Sequence, residues 1–160
     1  MDVVDSATRS RIMAGIRSKD TKPEMSVRKF LHAKGFRYRL HARTLPGSPD
    51  LVLPKYRVAI FVHGCFWHRH RDCRYSATPV SNIAKWDLKF RTNIERDERN
   101  QTELKAAGWR VIVVWECELR KDAPERLTAL CDEITAAQES DHWSHVQRTL
   151  AHTRPHLKDR

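Results

Sequence analysis

The stretch that most restricts how this chain can fold is an apolar run with a dense polar segment at its end. Arg57-Val58-Ala59-Ile60-Phe61-Val62 leads directly into His63-Gly64-Cys65-Phe66-Trp67-His68-Arg69-His70-Arg71-Asp72-Cys73. The apolar run suits a central strand covered on both faces. The eleven residues after it hold two thiols, three imidazoles and two large aromatics, too polar a set for ordinary core. Thiol and imidazole together point to zinc, adjacent Phe-Trp to a wedge or stacking platform, and a leftover histidine to proton transfer.

At 160 residues the chain has room for one domain with a real core. Thirty Lys and Arg against twenty Asp and Glu give a net charge of +10 and a pI near 9.8. Such a field attracts polyanions, which makes nucleic acid the expected partner; the plainer alternative is a basic, well-solvated surface. The cations are clustered: Arg17, Lys19, Lys22, Arg28, Lys29, Lys34, Arg37, Arg39 and Arg43 face only Asp20 and Glu24 in the same stretch. No run has transmembrane length and no signal segment opens the chain, so a cytoplasmic protein with four reduced cysteines is expected.

Read for pattern, 6–18 forms a short helix with Ile12 and Ile16 inward. Thr21-Lys22-Pro23-Glu24 opens a second helix that stops at Gly35. Leu45-Pro46-Gly47-Ser48-Pro49 is a turn, followed by Asp50 and by two strands, 51–53 and 57–62, joined through Pro54-Lys55-Tyr56. A long helix over 82–107 carries Trp86, Phe90, Ile94, Gln101 and Leu104 near one stripe and ends at Gly108. Residues 109–115 read as a buried strand, and Asp122-Ala123-Pro124 caps a last helix with Leu127, Leu130 and Ile134 inward. The pattern predicts a single α/β domain over 1–138 and a polar, His-rich, mobile tail over 139–160.

Cys65, His70, Cys73 and Cys117 are the candidate ligands of a structural zinc. His70 and Cys73 reach one ion from a single excursion, Cys65 lies just upstream, and Cys117 leaves a strand expected to neighbour 57–62. Three thiolates and one imidazole close a tetrahedron with no open position for water, so the ion staples the excursion to the sheet. Cys131, on an apolar helix face, reads as a buried thiol.

Asp50 starts a strand after a Pro-Gly turn, where a carboxylate facing a cleft can hold Mg²⁺; alone, an Asp after Pro is more often a turn residue. The next strand ends at Phe61-Val62-His63, where many metal-dependent nucleases carry Glu-x-Lys. Here the Val62 carbonyl can join Asp50 on the metal while His63 takes the lysine position. His68, left over from the zinc set, suits a general base. Glu24 is either a helix-capping carboxylate or a group that orients water or His68. Phe66, Trp67 and Trp86 are the candidate base-stack wedge, with core packing as the other reading.

These motifs resemble a known family. Ala7-Thr8-Arg9-Ser10, Leu45-Pro46-Gly47-x-Pro49-Asp50, the 61–68 block Phe-Val-His-Gly-Cys-Phe-Trp-His, Asn93-Ile94-Glu95-Arg96-Asp97, and Gly108-Trp109-Arg110-Val111 through Val114-Trp115-Glu116-Cys117 look like the very short patch repair (Vsr) DNA mismatch endonucleases, over about residues 2–135. The resemblance implies a divergent restriction-endonuclease-like fold and Mg²⁺-dependent nicking 5′ of the T in T:G mismatches left by deamination of 5-methylcytosine. It implies Mg²⁺ at Asp50 with the Val62 carbonyl, His68 as base with Glu24 supporting it and His63 nearby, and zinc on Cys65, His70, Cys73 and Cys117. Phe66, Trp67 and Trp86 would intercalate, and the N-terminal segment would clasp the DNA. Lys85 stands where the family often has an aromatic, and Ser48 where it often has a basic residue. The expected protein is a bacterial monomer, active at the nucleoid on T:G duplexes, with mismatch-repair accessory proteins as possible partners. A restriction-type endonuclease and a non-catalytic, zinc-containing DNA-binding protein are the rival classes. The second leaves Asp50, His63 and His68 without a task.

Overall fold

The computed structural model describes residues 19–151 and, before them, 5, 7, 8, 11 and 15; for 137–151 it describes the backbone alone. Ile12, Ile16 and the end of the chain from 152 onward therefore lie outside the described residues.

Helix α1, Lys22–Ala33, begins where Thr21 caps it. The Thr21 hydroxyl accepts from the Glu24 N–H at 3.4 Å and donates to Glu24 Oε1 at 3.0 Å, while Glu24 Oε2 accepts from the Asp20 N–H at 3.1 Å. The helix ends through paired bonds, Phe36 N–H to the Leu31 carbonyl and Gly35 N–H to the His32 carbonyl, both 3.0 Å. Such an ending needs a left-handed residue, and Gly35 (φ +86°) provides it. Strands β1 (Arg39–Leu40), β2 (Leu51–Leu53) and β3 (Val58–His63) follow, then helix α2 (Ile83–Ala106), strand β4 (Arg110–Trp115) and helix α3 (Glu116–Ala151).

The sheet runs β1-β2-β3-β4, antiparallel except for the parallel β3–β4 pair that α2 connects. Alternation along β3 sorts its residues between two layers. Val58 and Ile60 face α1 and α3, packing with Val27, Leu31, Leu127, Leu130 and Ile134; Ala59 and Phe61 face Leu104 of α2. Being covered on both faces explains why β3 is apolar almost throughout. Among the described residues no helix is long and apolar enough to cross a membrane.

Two elements depart from the sequence expectation. The two-residue edge strand β1 is too short to show alternation. Helix α3 starts at Glu116 rather than Asp122, whose φ −153° and ψ 87° break it into two parts. Asp122 still caps the second part, accepting from the Glu125 N–H at 3.0 Å. The helical backbone then carries on to Ala151, past the point near 138 where regular structure was expected to stop.

The turn before Asp50 is sterically exacting. Gly47 has φ +73°, and a Cβ there would meet Asn100 Nδ2 at 2.9 Å and its Cβ at 3.0 Å. Gly47→Ala should cost about 1–3 kcal/mol, read as a lower urea midpoint. An unchanged midpoint would show that the turn gives way freely.

Candidate active site and metal centre

Sheet pairing explains why so many polar groups meet at one place. In the parallel pair His63 is opposite Trp115, so two residues further on Cys65 and Cys117 leave the sheet side by side. In the antiparallel pair Leu51 is opposite Ile60, which puts Asp50 at the end where β3 finishes. The ends of β3 and β4 and the start of β2 thus share one edge of the sheet. A cleft of about 820 Å³ opens there, lined among others by Glu24, His41, Asp50, Val62, His63, Trp67, His68 and Asp97.

Asp50 is tied to the sheet: its Oδ2 accepts the Val62 N–H at 2.7 Å. Burial, and then the nearby Glu24 charge, hold its carboxyl above the usual range against the pull of that bond and of His41 and Arg28. A half-buried carboxylate whose charged form is disfavoured, with free lone pairs in a cleft, is a hard-oxygen donor that fits a divalent cation.

His68 is oriented by a carboxylate absent from the expected site set. Its Nδ1 lies 2.5 Å from Asp97 Oδ2. Burial pushes Asp97 up, but the His68 hydrogen bond and charge outweigh it and the carboxyl ends below its ordinary value. An ionised carboxylate only accepts, so Nδ1 carries a proton, and in the neutral ring the lone pair is then on Nε2. His63 stacks on His68 at 3.7 Å and 10°. Burial, then the His68 charge, drive His63 down to about 3. It occupies the expected lysine position as a neutral ring, without a lysine's charge.

Glu24 lines the same cleft but its bonds run elsewhere. It is 3% exposed and pairs with Arg28 Nη2 at 2.7 Å, besides capping α1. The carboxylate bonded to His68 is Asp97, while the bonds of Glu24 match the helix-capping alternative. Asp97 had a readable trace in the sequence. Trp86, Phe90, Asn93, Asp97 and Leu104 follow the spacing of one helix face, where two polar residues interrupt an apolar stripe. Asn93 donates to the Trp67 carbonyl at 3.1 Å, and Asp97 one turn later takes His68. Asp97→Asn can offer an N–H to His68 Nδ1 and move the ring proton to Nε2. If the cleft cuts DNA as the resemblance implies, single-turnover cleavage should fall by about 100-fold or more at unchanged DNA affinity. A parental rate would remove Asp97 from the machinery.

Cys65, His70, Cys73 and Cys117 bring their ligand atoms within 4.8 Å of one another. His70 Nδ1 is 3.2 Å from Cys117 Sγ and 3.8 Å from Cys65 Sγ, around the ~3.6 Å edge of a tetrahedron with ordinary zinc–nitrogen and zinc–sulfur bonds. Burial pushes the Cys65 thiol up to about 12, so it stays protonated unless a cation takes the proton's place. The set fits one tetrahedral metal ion. His70 is steadied by stacking on Trp115 at 4.3 Å. Cys131 packs against the main core, away from this group.

The aromatics form a cluster beside the cleft. Half-buried Phe66 lies edge-on to Trp67, Trp86 and Phe90, with centroids 5.0, 5.4 and 5.3 Å away. Lys89 sits over Trp67 at 4.9 Å and over Trp86 at 5.7 Å. Phe90, which is 5% exposed, is the floor on which Phe66 and Trp86 rest. An aromatic platform with a cation over it suits unstacked bases and phosphate.

Comparison with known proteins identifies the chain's relatives. The family model for DNA mismatch endonuclease Vsr matches residues 1–75. The type II nicking enzyme V.NmeAIP of Neisseria meningitidis is 49% identical over 138 residues, 85% of this chain and 98% of the relative. The type II nicking enzyme V.XorIIP of Xanthomonas oryzae pv. oryzae is 48% identical over 118 residues, 74% of this chain and 86% of the relative. The DNA mismatch endonuclease Vsr of Escherichia coli K12 is 41% identical over 145 residues, 86% of this chain and 92% of the relative.

Proposed function

The chain belongs to the Vsr family of DNA mismatch endonucleases, and from that premise we propose that it nicks duplex DNA 5′ of the T in a T:G mismatch. It is a DNA endonuclease; the T:G substrate, the metals and the residue roles are the proposed part. The observation that carries the reading is the convergence, in one cleft, of Asp50, the Asp97–His68 pair and Trp67 from the aromatic cluster.

Asp50, with the Val62 carbonyl, would hold Mg²⁺. When bound, the ion would neutralise charge on the scissile phosphate and make an attacking water more acidic. The chain's own groups do the rest. His68, its Nδ1 proton committed to Asp97, offers Nε2 to take the proton that water loses on attacking phosphorus. Neutral His63 backs the His68 ring without repelling it. Glu24 lies in the cleft with Arg28 balancing its charge. The Cys65, His70, Cys73 and Cys117 set would hold Zn²⁺, since soft thiolates with one imidazole favour it over hard cations. It would fix the excursion from which Phe66, Trp67 and His68 project.

We read the sheet with helices on both faces as a divergent restriction-endonuclease-like fold, and the protein as a cytoplasmic monomer, whose one set of these cleft residues per chain suits a nick. A non-catalytic DNA-binding protein would have no use for a cleft that joins a strand-borne carboxylate to a carboxylate-oriented histidine.

Phe66, Trp67 and Trp86 would enter the stack beside the mismatch, where unstacking is cheapest. With 2-aminopurine next to the T:G pair, binding should raise its fluorescence, and Trp67→Ala should abolish most of that rise. An equal rise with Trp67→Ala would show that the cluster is core rather than wedge.

A further inference from the structure

Arg28 lies on α1, 5% exposed, with its fork turned toward Glu24 and His41, two residues that line the cleft. Its Nη1 pairs with Asp20, and its Nη2 reaches Glu24 Oε2 at 2.7 Å and His41 Nε2 at 2.9 Å. A guanidinium has only N–H donors and no acceptor, so in this contact His41 Nε2 must be the acceptor and carries no proton. The ring proton is then on Nδ1. That atom faces Asp50 Oδ1 at 3.9 Å, too long for a hydrogen bond but close enough for the N–H dipole to act on the carboxylate. His41 is also fixed through its backbone, in the left-handed region (φ +44°), with its N–H donating to the Asp50 carbonyl at 3.3 Å. Asp50 therefore has a backbone N–H on one oxygen and an imidazole on the other, and the second contact depends on which ring nitrogen is protonated.

We propose that Arg28 and His41 are positioning residues for Asp50: Arg28 fixes the His41 tautomer, and His41 presents an N–H, not a lone pair, to Asp50 Oδ1. The proposal rests on the reading of Asp50 as the metal-holding carboxylate. Arg28 also balances Glu24, the carboxylate whose charge acts on Asp50.

Two measurements test it. Nitrogen-15 NMR of the His41 ring in the full chain should show the Nδ1-protonated tautomer; an Nε2–H ring would overturn the proposal. Arg28→Met leaves buried Glu24 without its cation and is expected to unfold the chain, so the kinetic test uses His41. His41→Asn keeps an N–H at the Nδ1 position, and His41→Leu removes it. At saturating Mg²⁺, His41→Leu should nick a T:G duplex about 100-fold more slowly at unchanged duplex affinity, and His41→Asn should stay within about threefold of the parent. A parental rate for His41→Leu, or equal losses for both variants, would overturn the proposal. Asp50→Asn run alongside separates the two readings: if it nicks at the parental rate, the role of Asp50 itself has failed.

Discussion

Asp50→Asn is expected to bind a T:G duplex as the parent does and to nick it at least about a thousandfold more slowly, ~4 kcal/mol of barrier. The substitution keeps shape and still accepts the Val62 N–H, so the strand end should not move. What it removes is the charge proposed to hold the cation. The same change should not weaken the fold. An acid whose folded pKa is raised binds protons more tightly in the folded state, so its ionised form costs stability at neutral pH, and that cost fades as pH falls. Asp50→Asn should therefore melt at or above the parental temperature while being inactive, a trade of stability against function typical of active sites. Parental nicking would show that Asp50 is a turn residue, and loss of fold would make its role structural.

Cys117→Ser is expected to release zinc and lower the melting temperature by on the order of 10 °C, the equivalent of several kcal/mol in a domain of this size. Cys117 joins α3 to the excursion, and its Sγ lies 3.2 Å from His70 Nδ1. Without that thiolate, Cys65 is left a buried thiol, its ionised form disfavoured by burial, with one ligand fewer around the ion. The loop that carries Phe66, Trp67 and His68 would loosen, so nicking should fall together with stability. Cys131→Ser is the matched control, since that thiol packs on the core and should leave zinc content unchanged. Full zinc content in Cys117→Ser would contradict the four-ligand assignment.

The parts of the site legible in the sequence are those set by local spacing and strand register. Cys65, His70 and Cys73 share one excursion, and Cys117 joins them because β3 and β4 are parallel, a pairing implied by two apolar runs with a long helix between them. Asp50 was legible from the Leu45–Pro49 turn that precedes it. The partners of the histidines were not. Asp97, though marked by its place on the α2 face, meets His68 across 29 residues, and His41 meets Arg28 across 13, so which group pairs with which is set by packing. Glu24 shows the opposite limit: its capping role was visible from Thr21, but its cation, one turn along the same helix, was read only as surface charge. The kink at Asp122 was half legible, because a cap also marks a helix start when a helix already precedes it.

The most direct test of the central claim is to label each strand of a duplex carrying one T:G pair, add protein and Mg²⁺, and compare it with the T:A duplex. A single cut in the T strand, just 5′ of the mismatch, with the T:A duplex intact, is the predicted result. Equal cutting of both duplexes, or tight binding to the T:G duplex with no cut across several flanking sequences, would contradict it.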